Sequence, residues 1–152
     1  MIEHFHTISD EQFKTLTSTI ARITILIGGA DGNLDKEEKD WAAKLAKIRT
    51  YANSDTLHGF YREVGKDFTE VLEAELAALP GIVEDRSNIL VEKIAEVNAI
   101  LPLLATDIAQ ELYLSYVSFA KHVAKASGGF FDFWSVSAAE EKWLDLDMIK
   151  QI

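Results

Sequence analysis

The chain contains no cysteine. That removes disulfides, thiolate metal sites and thiol chemistry together. Proline is nearly absent too, at two in 152 residues, so little interrupts the long apolar-periodic segments; this favours an all-helical fold. Basic residues are scarce, 15 against 25 acids, for a formal charge of −10. The deficit is even: residues 1–76 hold 14 acids and 9 bases, and residues 77–152 hold 11 and 6. With no basic arm or patch, nucleic acid is a poor partner, and cations or basic protein faces are better ones. No apolar run reaches the about 18 residues that span a bilayer. Met1 to Asp10 carries Glu3, His4, His6 and Asp10 in place of a basic start and an apolar core, so it does not read as a signal peptide. The expected location is the cytoplasm.

What is present is apolar periodicity. At 48% hydrophobic residues the chain can bury a substantial core, and its length fits one domain, residues 1–152. Ser9 to Gln12 reads as a capping box ahead of a helix from about Asp10 to Gly28, with Phe13, Leu16, Ile20, Ile23 and Ile27 on one stripe. Ile25 and Leu26 lie off that stripe, so this helix should run deep. Gly28-Gly29 stops it, glycine accepting the left-handed backbone of a helix end. A second helix follows Asp35 and buries Trp41, Leu45, Ile48 and Ala52. A short third ends at Gly65, and Asp67 to Glu70 caps a fourth that closes at Pro80-Gly81. A fifth, Asp85 to Leu101, buries Leu90, Ile94, Val97 and Leu101, and Pro102 ends it. A sixth, Thr106 to Ala126, carries Ile108, Leu112, Tyr116, Phe119 and Val123, with Leu114 and Val117 outside that stripe; it is the second candidate central helix. A short seventh follows Ser137, and the tail from Asp145 packs or frays. The expected fold is all-α, a bundle of about seven helices.

One stretch organises the rest: Ile25 to Trp41, ILIGGADGNLDKEEKDW. A looser copy lies near the end. Leu34-Asp35-Lys36-Glu37-Glu38-Lys39-Asp40-Trp41 matches Val136-Ser137-Ala138-Ala139-Glu140-Glu141-Lys142-Trp143: apolar, cap, two residues, glutamate, two residues, tryptophan. Both copies follow a long apolar helix and an Ala-x-Gly, and the second loop is six residues longer. The pattern reads as an internal pseudo-twofold repeat around two long central helices.

The long helix, Ala30-Asp31-Gly32, a cap and a glutamate three residues on, followed by a weaker second copy, resemble the tellurite-resistance TerB-like family. Ile100 to Leu104 before the second long helix and the Gly128-Gly129-Phe130-Phe131 loop after it are similar to that family as well. The resemblance covers nearly the whole chain. It implies a non-enzymatic module linked to bacterial stress responses, which binds divalent metal ions or a protein partner near the inner membrane face. The residues that match are Asp31, Asp35 and Glu38, with Glu140 alone in the second copy, where Ser127 replaces an aspartate.

Each candidate also has a plainer reading. Asp31, Asn33 and Asp35 alternate like the start of a calcium loop, but counting from Asp31, position 6 is Lys36 and position 12 is Ala42, so this is not an EF-hand. A weak oxygen site for calcium, magnesium or manganese remains, using Asp31, Asp35 and backbone carbonyls, to which the resemblance adds Glu38 and Glu140. Capping explains Asp35 with Glu38, and Ser137 with Glu140, without any ligand. Asp31 is left for function, or for bonding its own turn. Phe130, Phe131, Phe133 and Trp134 form an aromatic cluster in the longer loop, either folded on the core or presented to a partner. His4 and His6 flank Phe5 near the terminus and read as an incidental pair. Gly28 to Gly32 is no phosphate loop, because no strand precedes it and no Lys-Ser/Thr follows. The competing reading is an enzyme or small-ligand carrier with a pocket between the long helices, lined by tyrosines such as Tyr113 and Tyr116 with His122 nearby.

Overall fold

The computed structural model describes residues 3–30, 34–52, 55–128 and 143–151, and among them the fold is all-helical. Five α-helices follow in order: α1 (Asp10–Gly28), α2 (Lys36–Ala52), α3 (Asp55–Ala77), α4 (Val83–Ala95) and α5 (Thr106–Gly128). Two 3-10 turns, Glu96–Ala99 and Leu101–Leu103, join α4 to α5.

Helix α1 starts at the expected box: the Ser9 hydroxyl accepts from Gln12 N at 3.0 Å, and Ser9 N donates to the Gln12 side chain at 2.9 Å. It is the central element, packing on all four other helices. From Leu16 to Gly28 every residue except Arg22 is buried. Threonines survive there because each hydroxyl bonds back one turn, Thr19 to Thr15 O at 2.7 Å and Thr24 to Ile20 O at 2.9 Å. Helix α5 buries the expected Ile108, Leu112, Tyr116, Phe119 and Val123 but leaves its other face open, with Leu114 66% exposed. It is therefore not enclosed as α1 is.

The count of about seven helices changes for identifiable reasons. The expected third and fourth run on from one another as α3, but the backbone breaks between them at Asp67 (φ −137°, ψ 24°), where the sequence places a cap. The fifth stops at Ala95; Val97 and Leu101 stay buried but continue it as 3-10 turns, and Pro102 falls near the start of the second turn, where a missing N–H costs little. The seventh, after Ser137, lies outside the described residues. The tail packs: Leu146 and Ile149 are buried, and Asn98 clamps it, donating to Met148 O at 2.7 Å and accepting from Lys150 N at 2.8 Å.

Two local expectations are corrected. Trp41 is not buried but 40% exposed; α2 turns Ala42 and Ala46 inward beside the expected Leu45. Gly29 is not left-handed either, at φ −95° and ψ 5°. Glycine is needed there for space, since a methyl group would stand 2.8 Å from Arg86 Nη2 and 2.7 Å from Ile25 O.

The remaining core is aromatic and polar. Phe5, Phe13, Phe60, Tyr61 and Tyr116 form a chain of edge and stacked contacts. The Tyr61 hydroxyl bonds Ser115 Oγ, and the Tyr116 hydroxyl donates to Leu16 O at 2.7 Å. Burial, together with the nearby Tyr61, pushes the Tyr116 phenol well above its ordinary range, against a Thr19 hydrogen bond and the Arg22 charge. Arg22, mostly buried, reaches Glu75 at 3.3 Å and Glu96 at 3.5 Å, and Lys93 lies 3.6 Å from Glu75. This network ties α1 to α3, α4 and the first 3-10 turn.

Candidate functional site

The turn between α1 and α2 is built from both ends. On the α1 side, Gly29 N closes onto Ile25 O at 2.9 Å, and Ala30 N onto Ile27 O at 3.3 Å. Gly28 lets the α2 entry come close: a methyl there would sit 2.7 Å from Leu34 Cδ1 and 3.6 Å from Glu38 Oε2. On the α2 side, Asp35 caps the helix. Its Oδ1 accepts from Glu38 N at 2.8 Å, and Asp35 N donates to Glu38 Oε1 at 3.3 Å. This reciprocal pair satisfies two helix-end donors and fixes both carboxylates at a helix N-terminus, where negative charge is favoured.

The structure brings Asp35 and Glu38 together. Asp31, Glu140, Phe130, Phe131, Phe133 and Trp134 lie outside the described residues. Among the described residues no three histidine, aspartate or glutamate side chains are grouped to hold a metal ion. Asp35 and Glu38 are each engaged with the backbone of the cap.

Two features of this corner have no mark in the sequence. The first is Arg86, 8% exposed, whose Nη2 donates to Gly29 O at 2.6 Å. A buried guanidinium therefore underlies the turn, held from α4 across 57 residues of sequence. Its distance along the chain from the turn hides it, and its close approach to Gly29 shows only in three dimensions. The second is the outer face of α2. Glu37, Asp40, Trp41 and Lys44 share one side of the helix, and all four are exposed. A large aromatic surface thus stands open beside carboxylates.

The residues of the competing reading fall in different places. Helices α1 and α5 meet in packed core. Tyr116 is fully buried on Leu16 O, and His122 is exposed with Nδ1 2.8 Å from Ser118 O. Tyr113 lines an open space, a groove of about 940 Å³ between α5 and the tail. His4, with φ 76°, and the exposed His6 flank Phe5, which is fully buried; the motif seats a core aromatic.

No helix among the described residues is long and apolar enough to cross a membrane. Comparison with protein-family models, with curated proteins and with solved structures gives no match.

Proposed function

We propose that this protein is a non-enzymatic binding module, and that the acidic α1–α2 turn with the adjoining face of α2 holds the basic face of a protein partner. The exposed Trp41 among Asp35, Glu37 and Asp40 is the observation that carries this reading. Tryptophan and arginine dominate the energetics of protein interfaces, and an arginine stacks on an indole while pairing with neighbouring carboxylates. The rigid capping box supports it by fixing the acids before a partner arrives.

A divalent cation is the second ligand of the reading, favoured by the oxygen-rich chemistry of Asp31, Asp35 and Glu38, with Glu140 from the second copy. It would be calcium, magnesium or manganese, held weakly. The pseudo-twofold repeat belongs to the same proposal and rests on the shared pattern of residues 34–41 and 136–143; a stress-response role and a cytoplasmic place at the inner membrane face rest on the resemblance to TerB-like domains.

Calorimetric titration tests both ligands. An arginine-rich peptide without apolar residues should bind the parent, and Trp41→Ala should weaken it by about tenfold or more, the loss of one aromatic anchor. Calcium, magnesium, manganese and zinc are titrated in parallel into parent and Asp31→Asn. Equal peptide affinity in Trp41→Ala removes the partner reading; equal ion affinity in Asp31→Asn removes the cation.

A further inference from the structure

The groove between α5 and the tail shares no residue with the α1–α2 turn. Its α5 wall is Tyr113, Leu114 and Val117, and Ile149 faces them from the tail. Leu114 projects 66% exposed from a helix whose opposite side is fully buried, so its apolar surface is presented at that wall. Both walls are fixed. Helix α5 is seated by Tyr116 and Phe119, and the tail by buried Leu146 and the two Asn98 hydrogen bonds. Gln151 Nε2 lies 3.4 Å from the Tyr113 hydroxyl, so one further contact joins the walls. Among the described lining residues, Asp145 and Asp147 stand exposed along the groove with Lys150 as the one opposing charge.

We propose that this groove receives an amphipathic segment of another protein, one that carries lysine or arginine beside its apolar side chains. An apolar floor set along one helix face suits an amphipathic helix laid into a groove. The charge balance selects its sign: two carboxylates to one ammonium locally, in a chain of net charge −10, attract a basic segment and repel an acidic one. The exposed leucine sets the requirement for apolar residues, which separates this site from the acidic turn, where an arginine-rich peptide suffices.

The test uses the full chain and two labelled synthetic helices, one of leucine and lysine, the other of leucine and glutamate, followed by fluorescence anisotropy. The leucine–lysine peptide is expected to bind about tenfold or more tighter than its acidic counterpart. Leu114→Gln, which keeps helix propensity, should weaken it by about tenfold, and the double variant Asp145→Asn, Asp147→Asn by about threefold. Trp41→Ala should leave it unchanged. Equal binding of the two peptides, or unaltered affinity in Leu114→Gln, overturns the proposal. So does loss in Trp41→Ala alone, which assigns the binding to the turn. A lowered melting midpoint in Leu114→Gln means that the chain itself covers Leu114, and a parent dimer that Leu114→Gln abolishes in sedimentation means that a second copy does; either result also overturns it.

Discussion

Glycine shows how the same residue type serves opposite ends in this chain. At Gly29 a methyl group would meet Arg86 Nη2 at 2.8 Å, whereas at Gly65, inside α3, the nearest atom to such a methyl is Lys47 Cγ at 4.0 Å. Gly29→Ala should therefore destabilise by about 1–3 kcal/mol, the cost of overpacking, and Gly65→Ala should stabilise by about 0.5–1 kcal/mol through helix propensity. Denaturant melts of the two variants should move in opposite directions; a shift of the same sign contradicts the account of Gly29. Tyr116 gives a pH signature. Its phenol is held neutral in the fold, whereas an unfolded tyrosine titrates near about pH 10. The stabilising contribution is complete below that pH and is lost as pH rises above it, because the unfolded chain releases the proton first. Tyr116→Phe should flatten the alkaline limb of stability against pH, and should cost about 1 kcal/mol at neutral pH through the lost bond to Leu16 O. An alkaline limb unchanged in Tyr116→Phe would assign it to other groups. Neither effect is visible in the sequence, where Gly29 reads as a helix stop and Tyr116 as a member of an apolar stripe.

Helix boundaries were readable wherever chemistry is local. Ser9 with Gln12 and Asp35 with Glu38 both form the boxes that their spacing announces, and Asp67 marks the break inside α3 where the two expected helices meet. Which face a helix buries was less readable. Trp41 and Leu45 sit on one expected apolar stripe of α2, yet only Leu45 of the two is buried, and Ala42 and Ala46 go inward beside it, because small side chains let α2 lie close against its neighbours. Contacts across long sequence separations left no trace at all: Arg86 on Gly29 O, and Asn98 on the tail. At this scale the caps are the test. Asp35→Ala should cost on the order of 1 kcal/mol by stranding the Glu38 N–H. If the turn is duplicated, Ser137→Ala should cost a similar amount in the same melts. No loss in Ser137→Ala would leave Asp35 as a single, unrepeated cap.

The molecule as a whole carries −10, spread evenly, so any basic probe will be drawn to it to some degree. What distinguishes a binding site from that general field is the apolar surface set within it. Trp41 supplies this on α2, and it is the part of the site that the sequence concealed by placing tryptophan on an apparent core stripe. The acids were legible as a cluster, but their role as caps and their neighbour Arg86 emerge only in three dimensions. The most direct measurement is a titration of the isotope-labelled chain with an arginine-rich peptide, followed residue by residue through backbone amide chemical shifts at low and physiological salt. The account predicts shifts concentrated on Asp35 to Trp41 that persist at physiological salt and collapse in Trp41→Ala. Shifts scattered over the acidic surface, abolished by salt and indifferent to Trp41→Ala, would contradict it.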